Sequence, residues 1–238
     1  MPRTLDDLDT PVPLVDVDRM HANLRRAAEY CRGHGLAWRP HAKTHKSPAL
    51  AAEQVRAGAV GVTVATVREA EVMADAVDDL LLAYPPFGRA KLERLMALPE
   101  RVRLTVGLDS AEALRGLAEA ARAAGRRVGV LVEVDAGMGR VGVQSGTDAV
   151  ALARAAADEE GIDYRGVMFY PGHVRQNVDQ QDEAILALSE RVDGVLEALG
   201  RAGVPALGHW GERIAEAPSR CRARRPPSLR DGIRRAAC

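Results

Sequence analysis

Aromatic residues are scarce, at 3% of 238 residues. Single-stranded nucleic acid is held largely by stacking on aromatic side chains, so it is not an expected ligand. No sign of charge dominates either. Thirty-three basic residues offset 33 acidic ones, a net charge of +0. Neither nucleic acid nor a membrane surface is therefore the expected partner. Cys31, Cys221 and Cys238 are scattered and odd in number. They form neither a disulfide framework nor a CxxC metal pair, which favours a reducing, cytoplasmic setting. No run is long and apolar enough to span a bilayer. The start, Met1-Pro2-Arg3-Thr4-Leu5-Asp6-Asp7, carries acids and no apolar core, unlike a signal peptide. HExxH, GxSxG and P-loop patterns are missing, which leaves zincin, α/β-hydrolase and nucleotide-kinase readings without support.

What is present is alternation of strand-like and helical runs. Strands are expected at Val12–Val17, Leu36–His41, Val60–Ala65, Leu80–Tyr84, Val102–Val106, Val128–Val134 and Tyr164–Tyr170. Helices are expected between them, with Ser47-Pro48, Thr66 and Ser110 as start signals, and a long last one over Gln181–Arg201. Glu69 follows Thr66 at capping-box spacing. A repeat of about 25 to 30 residues per strand and helix is what parallel crossovers need. The expected fold is α/β, a (β/α)8 TIM-type barrel incomplete at its last one or two units. An open doubly wound sheet is the alternative, but no GxGxxG follows the first strand. Residues 1–205 read as the barrel domain. Residues 206–238 are rich in Arg and Pro with no apolar face, and read as a disordered tail or a shifted reading frame.

Three groups of polar residues fall at expected strand ends. The first is Arg39-Pro40-His41-Ala42-Lys43-Thr44-His45-Lys46, a cation cluster between a strand and a helix cap. It suits either an anion or a reactive amine at Lys43, and surface cations satisfied by water are the bland reading. The second is Glu133-Val134-Asp135-Ala136-Gly137-Met138-Gly139-Arg140-Val141-Gly142-Val143. Here a buried strand ends in two acids and a glycine turn presents Arg140, whose planar fork fits an oxyanion or phenolate. The third is Tyr170-Pro171-Gly172-His173. It brings a phenol that can donate or stack, and a histidine that is either a base or a turn residue. A barrel would bring all three to one rim.

Together these segments resemble the fold-type III pyridoxal-phosphate enzymes, the alanine-racemase-like group. The Lys43 segment resembles the D-threonine aldolase and D-serine dehydratase branch, and Asp9–Asp16 resembles the family's opening strand. The resemblance covers about residues 5 to 205. It implies a lyase acting on D-3-hydroxy amino acids, with pyridoxal 5'-phosphate carried as an imine on Lys43. It also implies Arg140 facing the cofactor's phenolic oxygen, Tyr170 its pyridine nitrogen, and His41 among the cofactor-binding residues. A neutral donor at the ring nitrogen suits cleavages needing a modest electron sink. A homodimer is expected from the family.

The sequence also departs from that pattern. Where the family has a Gly/Ser-rich phosphate loop, this chain has Ala206-Leu207-Gly208-His209-Trp210-Gly211. The family's divalent-metal ligands sit in a C-terminal β-domain that this chain is expected to lack, so no metal ligand is named. A truncated aldolase or dehydratase is the leading expectation. A non-catalytic pyridoxal-phosphate homeostasis protein, a racemase-like protein or a decayed fragment are the alternatives.

Overall fold

The computed structural model describes residues 4–177 and 180–204. The 206–238 segment, with the expected phosphate-loop position, lies outside the described residues. Five strands form one sheet: β1 (Val62–Val64), β2 (Asp79–Leu82), β3 (Arg103–Leu108), β4 (Val128–Val134) and β5 (Ile162–Phe169). All pairs are parallel, and the spatial order equals the chain order. Helices α1 (Val17–Gly33) and α2 (Pro48–Arg56) precede the sheet. Helices α3 (Val67–Met73), α4 (Arg89–Met96), α5 (Ala111–Ala123) and α6 (Gly146–Asp158) connect the strands, and α7 (Asp182–Arg201) follows β5. Ser47, Thr66, Ser110 and Ser145 each cap a helix by accepting a backbone N–H three residues on. Each such cap contributes about 1 kcal/mol.

The strand order separates the two expected folds. A doubly wound sheet reverses direction at a switch point, whereas a barrel wall adds its strands in one direction. The side chains agree with the barrel wall. Leu80, Leu82, Leu104, Val106, Leu108, Val128, Val130, Val132 and Val134 join Ala70, Met73, Leu114 and Leu117 of the helices in one apolar cluster. Residues between them, Thr63, Leu81, Thr105, Leu131 and Glu133, are also buried but outside that cluster, as the two-residue period of a strand requires. This inner face is partly polar. The Arg165 guanidinium donates to Thr105 Oγ1 at 2.7 Å across it. Any Cβ on Gly129 would collide with Arg165 there.

Curvature follows from a single contact. The segment ending at His41 pairs in parallel with Thr63 and so lies beyond β1, at the far side of the sheet from β5. In a flat sheet five strand spacings would separate them, roughly 24 Å. Yet Lys43 Nζ, just past His41, lies 5.6 Å from the centroid of the Tyr170 ring, just past β5. The sheet is therefore curled so that its two sides approach, as in a barrel wall.

Two expected strands are not strands. Val12–Val17 is irregular up to α1, with Val12, Leu14, Val15 and Val17 exposed. Pro11 and Pro13 remove two ladder donors there. Leu36–His41 makes only part of a ladder: the Trp38 and Pro40 carbonyls accept from Val60 and Thr63, and a lone bridge joins His41 to Thr63. Pro40 has no N–H to donate. The remaining expected strands and helices are present, and β4 has the expected bounds.

Candidate active site

Parallel strands place all their C-terminal ends on one rim, and the three polar groups lie there. His41 opens the first. Its Nδ1 accepts the Lys43 backbone N–H at 3.3 Å and so caps the short 3-10 turn Ala42–Thr44. Burial, then the Lys43 charge, lowers the His41 pKa, with Glu69 and a Thr63 backbone hydrogen bond opposing. A neutral ring suits the accepting nitrogen. Ala42 is fully buried and anchors the turn, while Lys43 projects outward. His45 is a structural residue: its Nδ1 accepts from Ser47 N–H at 3.1 Å, and its Nε2 lies 3.3 Å from Gln54 Oε1.

The cations of this segment part company. Arg39 turns to the opposite end of the sheet, where its guanidinium meets Asp79 at 2.6 Å. Lys46 turns to Glu69, with Nζ 3.3 Å from Oε1. Among the described residues no carboxylate forms an ion pair with Lys43. The expected cluster is thus one outward amine with its neighbours neutralised.

The second group is a loop tied at both ends. Asp135 N–H donates to the Val143 carbonyl and Val143 N–H to that of Glu133. Within it, Asp135 Oδ1 accepts from the N–H groups of Gly137, Met138 and Gly139 at 2.9, 2.9 and 3.0 Å. Burial alone would raise the Asp135 pKa. The N–H groups of Gly139, Gly137 and Met138, with Gln144, hold it below its ordinary value. Asp109, after β3, accepts the Gly142 N–H at 2.9 Å from the other side. Gly142 has φ 105°, and a Cβ there would collide with the Asp135 backbone. Arg191 of α7 donates to the Asp135 carbonyl at 2.6 Å. These contacts hold the loop so that Arg140 projects from its tip, exposed.

Tyr170 is where the groups meet. The Arg140 guanidinium carbon lies 5.2 Å from the Tyr170 ring centroid, and Lys43 Nζ lies 5.6 Å from the same ring. Both distances fall in the cation–π range. His173 packs against the Arg140 loop, its Nε2 3.3 Å from the position a Cβ on Gly137 would take. Beneath the loop, Glu133 is 2% exposed and its Oε2 has no hydrogen-bond partner. Burial pushes its carboxyl up to about 7, with Arg140 opposing and Asp109 and Asp135 adding.

Three of the four residues expected from the sequence, Lys43, Arg140 and Tyr170, therefore share one small volume, and His41 shapes the turn that carries Lys43. Sequence reasoning missed Asp109 and Arg191 as supports of the Arg140 loop. Glu69 was visible only as a capping residue. It is not a strict capping box, because its Oε2 accepts from Ala65 N–H at 2.8 Å. Among the described residues no group of three or more His, Cys, Asp or Glu is placed to hold a metal ion.

A primary amine, a phenol and a guanidinium thus share one small volume, groups suited to an aldehyde, an aromatic ring and an oxyanion. The alanine racemase N-terminal domain matches residues 15–209. The D-threonine aldolase of Arthrobacter sp. is 35% identical over 178 residues, covering 74% of this chain and 47% of that protein. A crystal structure of D-threonine aldolase from Filomicrobium marinum superposes with a TM-score of 0.80 at 37% identity, covering 85% of this chain and 55% of the other. The D-threo-3-hydroxyaspartate dehydratase of Delftia sp. HT23 superposes with a TM-score of 0.71 at 33% identity, over 84% and 54%. The chain spans about half the length of the curated relatives it matches.

Proposed function

The chain belongs to the alanine racemase N-terminal domain family, and on that premise we propose that it binds pyridoxal phosphate at this rim and acts as a lyase on D-3-hydroxy amino acids. The convergence of Lys43 and Arg140 on Tyr170 carries this reading. The similar aldolases and dehydratase support the substrate class.

Lys43 would bind the cofactor covalently, Arg140 would face its phenolic oxygen and Tyr170 its ring nitrogen. When bound, the cofactor supplies an electron sink for breaking a bond at the substrate's α-carbon. The protein's own contribution is positioning and proton handling. His41 is spent as an acceptor for Lys43 N–H, so it orients the turn and does not serve as the base. Lys43 would hold the cofactor's aldehyde carbon and would keep a proton beside the substrate's α-carbon. His173, on the same rim, is the described side chain suited to take the β-hydroxyl proton. Loss of that proton allows the Cα–Cβ bond to break, giving glycine and an aldehyde. A tyrosine phenol offers a hydrogen bond rather than an ion pair. At the ring nitrogen it keeps the sink modest, which suits cleavage of a bond weakened by an adjacent alkoxide.

The test is a product assay. The protein, loaded with pyridoxal phosphate and supplied with a divalent cation, is given D-threonine. Release of glycine and acetaldehyde in equal amounts is expected. With D-threo-3-hydroxyaspartate, glycine again supports the aldolase, whereas ammonia and a keto acid indicate the dehydratase. Firm cofactor binding with no turnover of either substrate would replace the lyase reading with that of a non-catalytic carrier.

A further inference from the structure

The chain has three lysines: Lys43, Lys46 and Lys91. Lys91 lies exposed on α4. The other two are three residues apart beside the proposed cofactor site. The aldehyde of pyridoxal phosphate does not itself choose between primary amines. An amine nitrogen adds to the aldehyde carbon, the oxygen leaves as water, and a C=N bond remains. Some feature of the protein must therefore select one lysine.

Glu69 is placed to do so. It is 8% exposed, and each of its oxygens is used. Oε2 accepts from Ala65 N–H at 2.8 Å, and Oε1 lies 3.3 Å from Lys46 Nζ. Lys46 is the sole cation in an ion pair with Glu69 among the described residues. The Lys46 side chain is 66% exposed but its partner is nearly buried, so releasing it would leave the Glu69 carboxylate without a charge partner. The backbone also favours this pairing. Lys46 has φ 50°, a left-handed conformation uncommon for a residue with a Cβ, and its N–H donates to the Ala42 carbonyl at 2.8 Å. That turn sends Lys46 toward Glu69 while Lys43 lies over Tyr170. An amine nitrogen held against Glu69 is kept from the Tyr170 ring, where an aldehyde would be met by Lys43.

We propose that Glu69 is the specificity-determining residue that withholds Lys46, so that Lys43 alone carries the cofactor. The inference rests on the cofactor role proposed for this rim. Glu69 touches neither cofactor nor substrate in this account.

The experiment maps the bond directly. Protein is incubated with pyridoxal phosphate, reduced with borohydride so that hydride adds across C=N, digested, and analysed by mass spectrometry. In the wild type the phosphopyridoxyl label is expected on Lys43, with Lys46 labelled no more than Lys91. In Glu69→Gln, which keeps an oxygen for Ala65 N–H, label on Lys46 is expected to rise by about tenfold or more, with Lys91 unchanged. Glu69→Asp, which keeps the charge but draws it back by one methylene, is expected to fall between. It serves as the second variant should Glu69→Gln not fold. Lys43 labelled alone in the wild type and in both variants leaves the cofactor site standing and overturns the role of Glu69. Label on neither rim lysine in the wild type overturns the cofactor site, and this inference with it.

Discussion

Replacing Lys43 with Ala is expected to abolish the visible absorption band expected when pyridoxal phosphate is added to the wild-type protein. The expectation follows from the geometry of the lysines. Lys43 is exposed on the rim, and its Nζ lies 5.6 Å from the Tyr170 ring centroid. Lys46 is held by Glu69, and Lys91 stands on α4. No other lysine exists to substitute. The fold should be indifferent to the change, because an exposed side chain with no ion pair among the described residues contributes within about 0.5 kcal/mol. The melting transition of Lys43→Ala should therefore match the wild type while the band is gone. Any lyase activity should fall by at least roughly 100-fold, since proton transfer at the α-carbon loses its group. A band that persists in Lys43→Ala and disappears in Lys46→Ala would transfer the role to Lys46.

The second large effect is a pH dependence of stability set by Glu133. Its carboxyl is pushed from the ordinary 4.5 up to about 7 by burial on the inner face of β4. The folded protein thus binds the proton more tightly than the unfolded chain. The associated stability is fully present below pH 4.5 and is lost as pH rises through 7. A shift of this size corresponds to roughly 3 kcal/mol in all, of which about 2 to 3 falls between pH 5 and 8. Glu133→Gln removes the titrating group and keeps the shape. Urea unfolding of the cofactor-free proteins at pH 5 and pH 8 should show the wild type losing about that much more than Glu133→Gln. Equal losses would mean that Glu133 reaches water or a partner when it ionises.

Much of this was legible in the sequence because the signals were local. The run Val128–Val134 is mostly apolar on both faces, and it forms β4 with those bounds. Ser110 and Thr66 cap helices because a hydroxyl reaches a backbone N–H three residues on in any context. The two expected strands that failed were apolar runs interrupted by proline, where composition suggested a strand and the missing N–H prevented a full ladder.

In the site, Lys43, Arg140 and Tyr170 lie in segments that follow strand-like runs, which parallel topology brings to one rim, while their roles toward a cofactor came from the family resemblance. What their environment would be could not be read. Arg39 sits four residues before Lys43, yet it pairs with Asp79, 40 residues away in the chain. Arg191 supports the Arg140 loop across 56 residues. Glu69 looked like a helix cap, and only the fold shows Lys46 lying against it. Partner choices over such distances depend on register and curvature, which no local pattern encodes.

The central claim is that Lys43, Arg140 and Tyr170 form one cofactor site. A crystal structure of the protein grown with pyridoxal phosphate tests it most directly. Continuous density is expected from Lys43 Nζ to the cofactor, with the Arg140 guanidinium at its phenolic oxygen and the Tyr170 hydroxyl at its ring nitrogen. Density joined to Lys46, or a cofactor bound away from the Tyr170 ring, would contradict it.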